Sequence, residues 1–320
     1  MSAKKIIKPI KEMIGIAPSK LILVGEHAVV HGQPAIAIPF PLIGVKATIT
    51  SIPGEVFLNS TLYKGTMDKA PEFLKGIVST IKHTLVMLDI PSKDLSIKVE
   101  SSIPTGKGLG SSAAVAIAII KSLFAYSDRA YTDEEVLFLA NIAETHAHGS
   151  PSGIDPLTVN SKNPVWYKKG TPIEYIKPDS EFHFVVADSG READTKTAVG
   201  TVTELMKSAP DKIQATMSRL GDITHQVRDA LETSSKQVLG YLLTEAQKEL
   251  VTLGVSDGGL NKLIQLAMDE GALGAKLTGA GNGGCIIALA KNEFHAKQLT
   301  EKLLRGGADK VWPFALGTKN

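Results

Sequence analysis

The stretch Ile103–Ile120 reads IPTGKGLGSSAAVAIAII and passes from a cluster of glycines directly into eight apolar residues. Such a junction is typical of phosphate-binding loops, yet it matches neither of two familiar patterns. A P-loop places its lysine after the last glycine, whereas Lys107 lies between two glycines. The dinucleotide fingerprint requires G-x-G-x-x-G, and the glycines here are spaced G-x-G-x-G. The stretch therefore needs an explanation of its own.

Two interpretations of this stretch remain open on its residues alone. Glycines let the backbone adopt positive φ angles and approach a ligand closely, and a following helix presents unpaired N–H groups to an anion. Ser111 and Ser112 add hydroxyl groups that can bind a phosphate or a magnesium ion. The alternative is a glycine turn followed by a serine N-cap.

The bulk composition is that of an ordinary folded protein. Of 320 residues, 43% are hydrophobic and 21% are charged, and the formal net charge is +2. This balance gives no reason to expect nucleic acid or an anionic membrane as a partner. The longest strictly hydrophobic run, Ala113–Ile120, is too short to span a bilayer. Lysines interrupt the apolar residues of the N-terminal segment 1–15, which predicts a surface extension of a cytoplasmic protein rather than a secretory signal.

The order of predicted elements indicates an α+β chain in two halves that meet near residue 180. The first half, 1–180, contains several predicted strands, a buried helix at Ser111–Ala125 and a hairpin around Gly170. The second half, 181–320, begins with the strand-like FHFVVAD, continues through long helical segments, and ends with further strands around a glycine loop and a last helix. We therefore expect two domains with these boundaries.

Glu144 is a carboxylate on the apolar face of a predicted helix. That helix starts with a capping box, in which Thr132 is followed three residues later by Glu135. A carboxylate aimed inward is costly unless a cation pairs with it, so its expected partner is a lysine or a metal ion. The nearby His146 and His148 do not favour zinc, because residues two apart point to different faces of a helix.

Asp155, in the segment SPSGIDP, has two interpretations. An aspartate directly before a proline is typical of an N-cap followed by proline at the first helical position. The other interpretation is functional, since an aspartate on a glycine-rich linker just beyond an inward-facing glutamate could accept a proton from a substrate.

The segment Leu277–Cys285, LTGAGNGGC, has four glycines in six residues between two strand-like runs. A simple hairpin needs only two or three loop residues, so this loop suits backbone that packs against a ligand or against another glycine loop. Cys285 is expected to be a small core residue rather than a nucleophile, because no histidine is placed to activate it. As the single cysteine, it excludes an intramolecular disulfide.

Three segments of the chain, taken in order, resemble the motifs of the GHMP kinases, the family that includes galactokinase, homoserine kinase, mevalonate kinase and phosphomevalonate kinase. The segments are APSKLILVGEHAVVHG, PTGKGLGSSAAV and KLTGAGNGGC, and the resemblance extends from Ala17 to about Leu289. Within the family, GEHAVVHG is similar to the mevalonate kinase branch, whereas galactokinases have a GEHTDY type of sequence. The spacing of eleven residues from Glu144 to Asp155 fits the same branch.

The resemblance implies a two-domain α+β GHMP kinase fold, with a ribosomal-protein-S5-domain-2-like N-terminal domain and a ferredoxin-like C-terminal domain. It implies a transferase that uses ATP and Mg²⁺ to phosphorylate the 5-hydroxyl of mevalonate in isoprenoid biosynthesis. Mevalonate is then the expected small-molecule partner, and the family is compatible with a homodimer. Neither nucleic acid nor a membrane is expected to bind.

The resemblance also implies roles for individual residues. Asp155 is the expected general base, and Lys20 is the cation that lowers the pKa of the hydroxyl and screens the developing charge. Mevalonate is expected to bind Lys20, Glu26, His27, Asp155 and Thr195, and Mg²⁺ to bind Ser112 and Glu144. The ATP phosphates are expected to bind Pro104, Thr105, Gly106, Lys107, Gly108, Leu109, Gly110, Ser111 and Ser112.

One position departs from the family pattern, because Asn282 stands in GAGNGG where many relatives have glycine. Asparagine tolerates left-handed backbone angles, so we expect this change to matter little. Three other functions remain open: another GHMP kinase acting on phosphomevalonate or on a different mevalonate hydroxyl, a diphosphomevalonate decarboxylase, and a non-enzymatic nucleotide-binding regulator. The decarboxylase is disfavoured by the combination of Lys20, Glu26, His27, Glu144 and Asp155, which indicates a simple kinase. The regulator is disfavoured because no candidate catalytic residue is missing: Lys20, Ser112, Glu144 and Asp155 are all present.

Overall fold

The computed structural model describes residues 12–148, 153–193 and 195–317. Residues 1–11 of the predicted surface extension and residues 149–152 of the glycine-rich linker lie outside the described residues. Contacts between residues divide the chain into two units. Unit 1 comprises the residues up to Ser19, Ile43–Ile103 and Ser111–Asn160, and unit 2 comprises Lys20–Leu42, Pro104–Gly110 and the residues from Ser161 onward.

The secondary structure is mixed along the whole described chain. The strands are β1 Met13–Val24, β2 Ala35–Ser51, β3 Phe57–Asn59, β4 Lys64–Thr66, β5 Leu95–Ser101, β6 Val165–Tyr167, β7 Glu174–Tyr175, β8 Phe182–Asp188, β9 Gly274–Thr278, β10 Cys285–Ala290 and β11 Lys310–Leu316. The α-helices are α1 Lys75–Met87, α2 Ser111–Tyr126, α3 Asp133–His148, α4 Ile154–Asn160, α5 Thr195–Ser208, α6 Pro210–Glu232, α7 Lys236–Thr252, α8 Gly258–Asp269 and α9 Glu293–Arg305. The long strands β1 and β2 each contribute residues to both units.

Unit 1 is built from a sheet covered by helices. Its strands follow the order β4-β3-β5-β2, in which β2 is antiparallel to β5 from Val45↔Ser101 to Ser51↔Leu95 and β3 is parallel to β5. The helices α1, α2 and α3 pack against one another, and α4 packs against α2 and α3. The capping box is confirmed, since Thr132 Oγ1 accepts from the backbone N–H of Glu135 at 3.2 Å and Glu135 Oε2 accepts from that of Thr132 at 2.9 Å.

Helix α2 is the buried helix that the sequence predicts. Its side chains from Ala113 to Ile120 are fully or nearly fully buried, apart from Val115. Strand β1 comes so close to it that a Cβ on Gly15 would lie 2.1 Å from the Ala118 carbonyl oxygen. The prediction of a surface extension through residue 15 is therefore wrong at its end, because β1 begins at Met13 and packs on α2.

Unit 2 contains an antiparallel sheet of β11, β8, β10 and β9 in that spatial order. Numbered along the chain from β8, this order is 4-1-3-2, with helices between the first and second strands and between the third and fourth, as in a ferredoxin-like fold. Helices α7, α8 and α9 pack on this sheet. The hairpin predicted around Gly170 is confirmed, because β6 pairs antiparallel with β7.

Helix α7 approaches strand β9 with no side chain between them at one point. A Cβ on Gly274 would lie 1.8 Å from the Gly240 carbonyl oxygen, and a Cβ on Gly240 would lie 2.3 Å from that of Leu273. Real Cβ atoms do not approach so closely, so the contact requires glycine at both positions. Among the described residues, no helix is both long and apolar enough to cross a membrane.

Candidate active site

The glycine-rich loop Pro104–Gly110 has an unusual backbone. Gly106, Gly108 and Gly110 adopt φ angles of 67°, 71° and 71°, which residues with a side chain rarely adopt. Helix α2 begins at Ser111, directly after the loop, so the predicted serine N-cap becomes the first helical residue instead. The first N–H groups of a helix carry a partial positive charge and lack partners within the helix. The junction therefore has the backbone features of an anion site.

The third-motif loop, Gly279–Gly284, packs against the glycine-rich loop. A Cβ placed on Gly108 would lie 3.5 Å from Gly279 Cα, so the two backbones are in contact. This arrangement is one of those predicted for so glycine-dense a segment. Asn282 has a φ of 51° in the left-handed region, and its N–H donates to the Val255 carbonyl at 2.8 Å. The expectation that asparagine is tolerated there is consistent with this geometry.

Glu26 of the first motif is buried and forms an ion pair with Lys276 of β9. Lys276 is fully buried, and burial lowers its pKa although the Glu26 carboxylate opposes that shift. Glu26 Oε2 is also buried and has no hydrogen-bond partner among the residues that the structure describes. Lys276 was not predicted as a site residue, although a single charged residue in the strand GAKLT directly before a glycine loop was a usable signal.

His27 connects the first motif to the third-motif loop. Its Nε2 lies 2.8 Å from the Ala280 carbonyl oxygen. A carbonyl only accepts, so Nε2 carries the proton and Nδ1 is left as an acceptor when the ring is neutral. Burial lowers the pKa of His27, against the effect of the Ala280 hydrogen bond, and so favours the neutral ring. The backbone of His27 has a φ of 61°, which is uncommon for a residue with a side chain.

Lys20 and Lys107 are the other lysines of unit 2 that are relevant to the predicted site. Lys20 is 3% exposed, and its backbone N–H donates to the Leu109 carbonyl of the glycine-rich loop at 3.3 Å. A Cβ on Gly110 would lie 2.7 Å from Lys20 Cγ, so the lysine stem lies directly against the loop. Lys107 forms a buried ion pair with Asp188, which was not among the predicted site residues.

The predicted carboxylates and the serine Ser112 lie on helices of unit 1. Ser112 is half-buried in the first turn of α2 and lines a cavity of about 720 Å³ together with residues of α1 and α3, including Ala143 and His146. Glu144 is 3% exposed on α3, next in sequence to one of the cavity-lining residues, which agrees with its predicted inward position. The oxygen donors of Ser112 and Glu144 are of the kind that magnesium prefers, so these residues fit such an ion chemically.

Asp155 lies in the first turn of α4, which begins at Ile154. The N-cap interpretation is therefore wrong, because the residue already has a helical position and the cap precedes it. Asp155 is half-buried, and α4 packs against α2 and α3. Thr195 is the first residue of α5, but its side chain lies outside what the structure describes.

Cys285 does not have the environment of a reactive thiol. It is fully buried at the start of β10, and burial raises its pKa well above the usual range for a thiol. A protonated thiol is a poor nucleophile. This supports the interpretation of Cys285 as a small core residue.

Each unit by itself contains groups of the kinds that phosphoryl transfer uses. Unit 2 supplies the two glycine loops and the first motif with its lysine and histidine, and unit 1 supplies the start of α2 with the two carboxylates. Backbone amides, a lysine and oxygen ligands are the components that phosphoryl transfer requires, since this reaction depends on positioning and charge neutralisation.

Comparison with known proteins gives a consistent result. The family described as GHMP kinases N terminal domain matches residues 72–159, and GHMP kinases C terminal matches residues 227–309. The mevalonate kinase of Pyrococcus furiosus is 33% identical over 303 residues, which cover 88% of this chain and 90% of that protein. The resemblance inferred from the three motifs is therefore confirmed.

Solved structures agree in fold. The Methanococcus jannaschii mevalonate kinase superposes with a TM-score of 0.80 at 27% identity and covers 97% of this chain and 99% of its own. The mevalonate kinase of L. major in complex with R-mevalonate superposes with a TM-score of 0.82 at 24% identity over 98% of both chains and supports the fold alone. The expected two-domain α+β fold is confirmed, and the chain belongs to the GHMP kinase family.

Proposed function

We propose that the chain is a kinase that transfers the γ-phosphoryl group of ATP to the 5-hydroxyl of (R)-mevalonate and releases 5-phosphomevalonate and ADP. The observation that carries this proposal is the first motif, GEHAVVHG, in a chain whose relative named mevalonate kinase is 33% identical over almost its full length. The product belongs to the mevalonate pathway of isoprenoid biosynthesis.

The glycine-rich loop and the start of α2 are proposed to bind the ATP phosphates, from Pro104 through Ser112. The positive φ angles of the three glycines bring backbone close to a ligand, and the helix terminus adds its partial positive charge. Ser112 and Glu144 are proposed to hold Mg²⁺, which would neutralise charge on the phosphate oxygens when bound.

Asp155 is proposed as the general base and Lys20 as the cation beside the reacting hydroxyl. The hydroxyl oxygen forms a bond to the γ-phosphorus, the bond between that phosphorus and the ADP oxygen breaks, and the hydroxyl proton passes to the Asp155 carboxylate. The Lys20 ammonium favours the alkoxide character that develops on the oxygen, because an adjacent cation stabilises negative charge.

Glu26, His27 and Thr195 are proposed to position mevalonate. The unsatisfied Oε2 of Glu26 can accept a hydrogen bond from a substrate hydroxyl, and so can Nδ1 of His27. The ion pair to Lys276 and the bond to Ala280 hold these two side chains in one orientation. Preorganised acceptors of this kind lower the cost of orienting a small polar substrate.

The proposal also includes the domain boundary, the location in the cell and the oligomeric state. We propose two domains, 1–180 and 181–320, and the two family matches are compatible with this division because they cover residues 72–159 and 227–309. The protein is proposed to act in the cytoplasm on a small water-soluble substrate, and as a homodimer. The homodimer would be tested by light scattering of the purified protein.

A substrate panel tests the function directly. We expect ADP release with mevalonate and none with phosphomevalonate, homoserine or galactose. NMR of the product checks that the phosphate is on the 5-oxygen. Turnover of a different alcohol alone would contradict the assignment from GEHAVVHG, and release of CO₂ from diphosphomevalonate would identify a decarboxylase instead.

A further inference from the structure

Lys107 lies within the glycine-rich loop, but its ammonium group is already engaged by the protein. The Lys107 side chain is 8% exposed, and its Nζ lies 2.8 Å from Oδ1 of Asp188, whose side chain is 1% exposed. The same Nζ donates to the Arg191 carbonyl oxygen at 2.8 Å. Both charges of the pair are therefore buried and compensated.

Asp188 opens the segment Asp188–Ala193, which we call the β8 turn because it follows β8. The same Asp188 carboxylate accepts from the Gly190 N–H at 2.9 Å and so shapes the turn. The Ala193 N–H donates to the Gly106 carbonyl at 2.6 Å, next to Lys107 in the glycine-rich loop. The ion pair therefore lies at a junction where the turn is also bonded to the loop backbone.

The third-motif loop joins the same junction. The Gly284 N–H donates to the Arg191 carbonyl at 2.8 Å, and the Ser189 N–H donates to the Gly284 carbonyl at 2.9 Å. A Cβ on Gly283 would lie 2.2 Å from the Glu192 carbonyl oxygen, so the turn and this loop are packed without space for a side chain. Three segments that are far apart in sequence thus meet around Lys107.

A lysine that binds phosphate needs its ammonium to face the ligand. Asp188 and the Arg191 carbonyl already take two of the three N–H donors of the Lys107 ammonium, and turning this group toward a ligand would leave the buried Asp188 carboxylate without its partner, which is costly. Yet a loop with three glycines in five residues loses much conformational entropy on folding. It therefore needs an anchor, by which we mean a side chain between the glycines that is bonded to the rest of the protein. We propose that Lys107 is a positioning residue: its side chain fixes the glycine-rich loop through Asp188, and its ammonium group is not itself a phosphate ligand, whereas the loop backbone keeps its proposed role. This inference rests on the proposed role of the loop in binding ATP.

The test compares Lys107→Met, Asp188→Asn and the double variant, with Lys302→Met as a matched control. Lys302 pairs with Glu270 in the same unit, but both side chains of that pair are partly exposed. We expect each single variant to lower kcat/KM for MgATP roughly 10–100-fold, because a displaced loop misaligns the phosphates. The KM for mevalonate should stay near the wild-type value. All kinetic constants of the Lys302→Met control should also stay near those of the wild type. The double variant should lose no more than either single variant, because both remove the same contact.

The thermal midpoint provides a second readout. Each single variant leaves one buried charge without its partner, whereas the double variant leaves none, so the double variant should recover stability while the loss in kcat/KM for MgATP persists. If Lys107 were a phosphate ligand, Asp188→Asn would release its ammonium and leave MgATP affinity unchanged or improved. That outcome would overturn the proposal. The double variant keeps the test decisive if a single variant fails to fold.

Hydrogen exchange of the nucleotide-free protein separates this inference from the proposed function. The backbone amides of Thr105–Gly110 should exchange faster in the double variant than in the wild type and in Lys302→Met. Faster exchange in a protein that does not bind ATP would refute the proposed function and leave the anchor in place. Unchanged exchange in an active kinase would refute the anchor.

Discussion

The residues with proposed roles fall into two groups that are held in place by different means. In unit 1, Ser112, Glu144 and Asp155 are carried by helices that pack against one another, so local helix geometry orients them. In unit 2, the first motif and the glycine-rich loop are held by ion pairs to residues distant in sequence, Lys276 and Asp188. A change at one of these unit 1 residues can therefore alter chemistry with little effect on stability, whereas a change in one of the two buried ion pairs of unit 2 should alter both.

The largest expected effect tests the first half of this comparison. Asp155→Asn keeps the size of the side chain but removes the proton acceptor, so kcat should fall roughly 10²–10⁴-fold. ATP binding and the thermal midpoint should stay near the wild-type values, because α4 keeps its helical packing. Steady-state kinetics measure kcat, titration calorimetry measures ATP binding, and a thermal melt measures the midpoint. A near-normal kcat would exclude Asp155 as the base.

Breaking the buried pair of unit 2 should instead damage stability and activity together. Lys276→Met leaves the Glu26 carboxylate buried without its partner and should lower the free energy of unfolding by about 3–5 kcal/mol. Urea titration measures this, and the KM for mevalonate should rise because Glu26 is no longer held.

Two further variants complete that test. Replacing both partners, as Lys276→Met with Glu26→Gln, should restore much of the stability but not the KM. Lys82→Met, which removes a pair exposed to solvent, should change little. Equal losses in the buried and exposed variants would remove the distinction between the units.

The third-motif loop allows a smaller test of the backbone. Asn282 has a φ of 51°, where a β-branched side chain is strained. Asn282→Val should therefore lower the free energy of unfolding by about 1–2 kcal/mol, whereas Asn282→Gly should be tolerated. Chemical denaturation compares the two variants. If Asn282→Val left the free energy of unfolding unchanged, the loop would be able to adapt and the left-handed backbone would not be required.

The smallest effect is expected at the capping box of unit 1. Thr132→Ala removes the acceptor for the Glu135 N–H and should lower the free energy of unfolding by about 1 kcal/mol. Kinase activity at a temperature well below the midpoint should be unchanged, since the cap begins α3 and the carboxylate Glu144 lies near its end. A large loss of activity would show that α3 transmits changes at its start to the site.

Local signals in the sequence predicted much of this molecule. The buried helix α2, the capping box, the hairpin at Gly170 and the inward position of Glu144 all follow from periodicity or from turn residues close together in the chain. The glycine spacing predicted that the third-motif loop would pack against a ligand or another glycine loop. The three ordered motifs identified the family.

Features that depend on distant partners were not predictable in the same way. No local pattern pairs Lys107 with Asp188 or Glu26 with Lys276, because these contacts join segments that are 81 and 250 residues apart. The N-cap interpretation of Asp155 was wrong for a different reason. Helix boundaries vary by one or two residues, and an Asp-Pro dipeptide does not determine where the helix begins.

The contact between Gly240 and Gly274 has a consequence for experiments that survey every substitution. Neither position has room for a methyl group, so both should reject all other residues in a mutational scan, as strongly as the proposed base does. Neither glycine belongs to any of the three motifs. Intolerance to substitution in this chain will therefore mark the closest backbone packing as well as the chemistry, and only a stability measurement made beside the activity assay will separate the two.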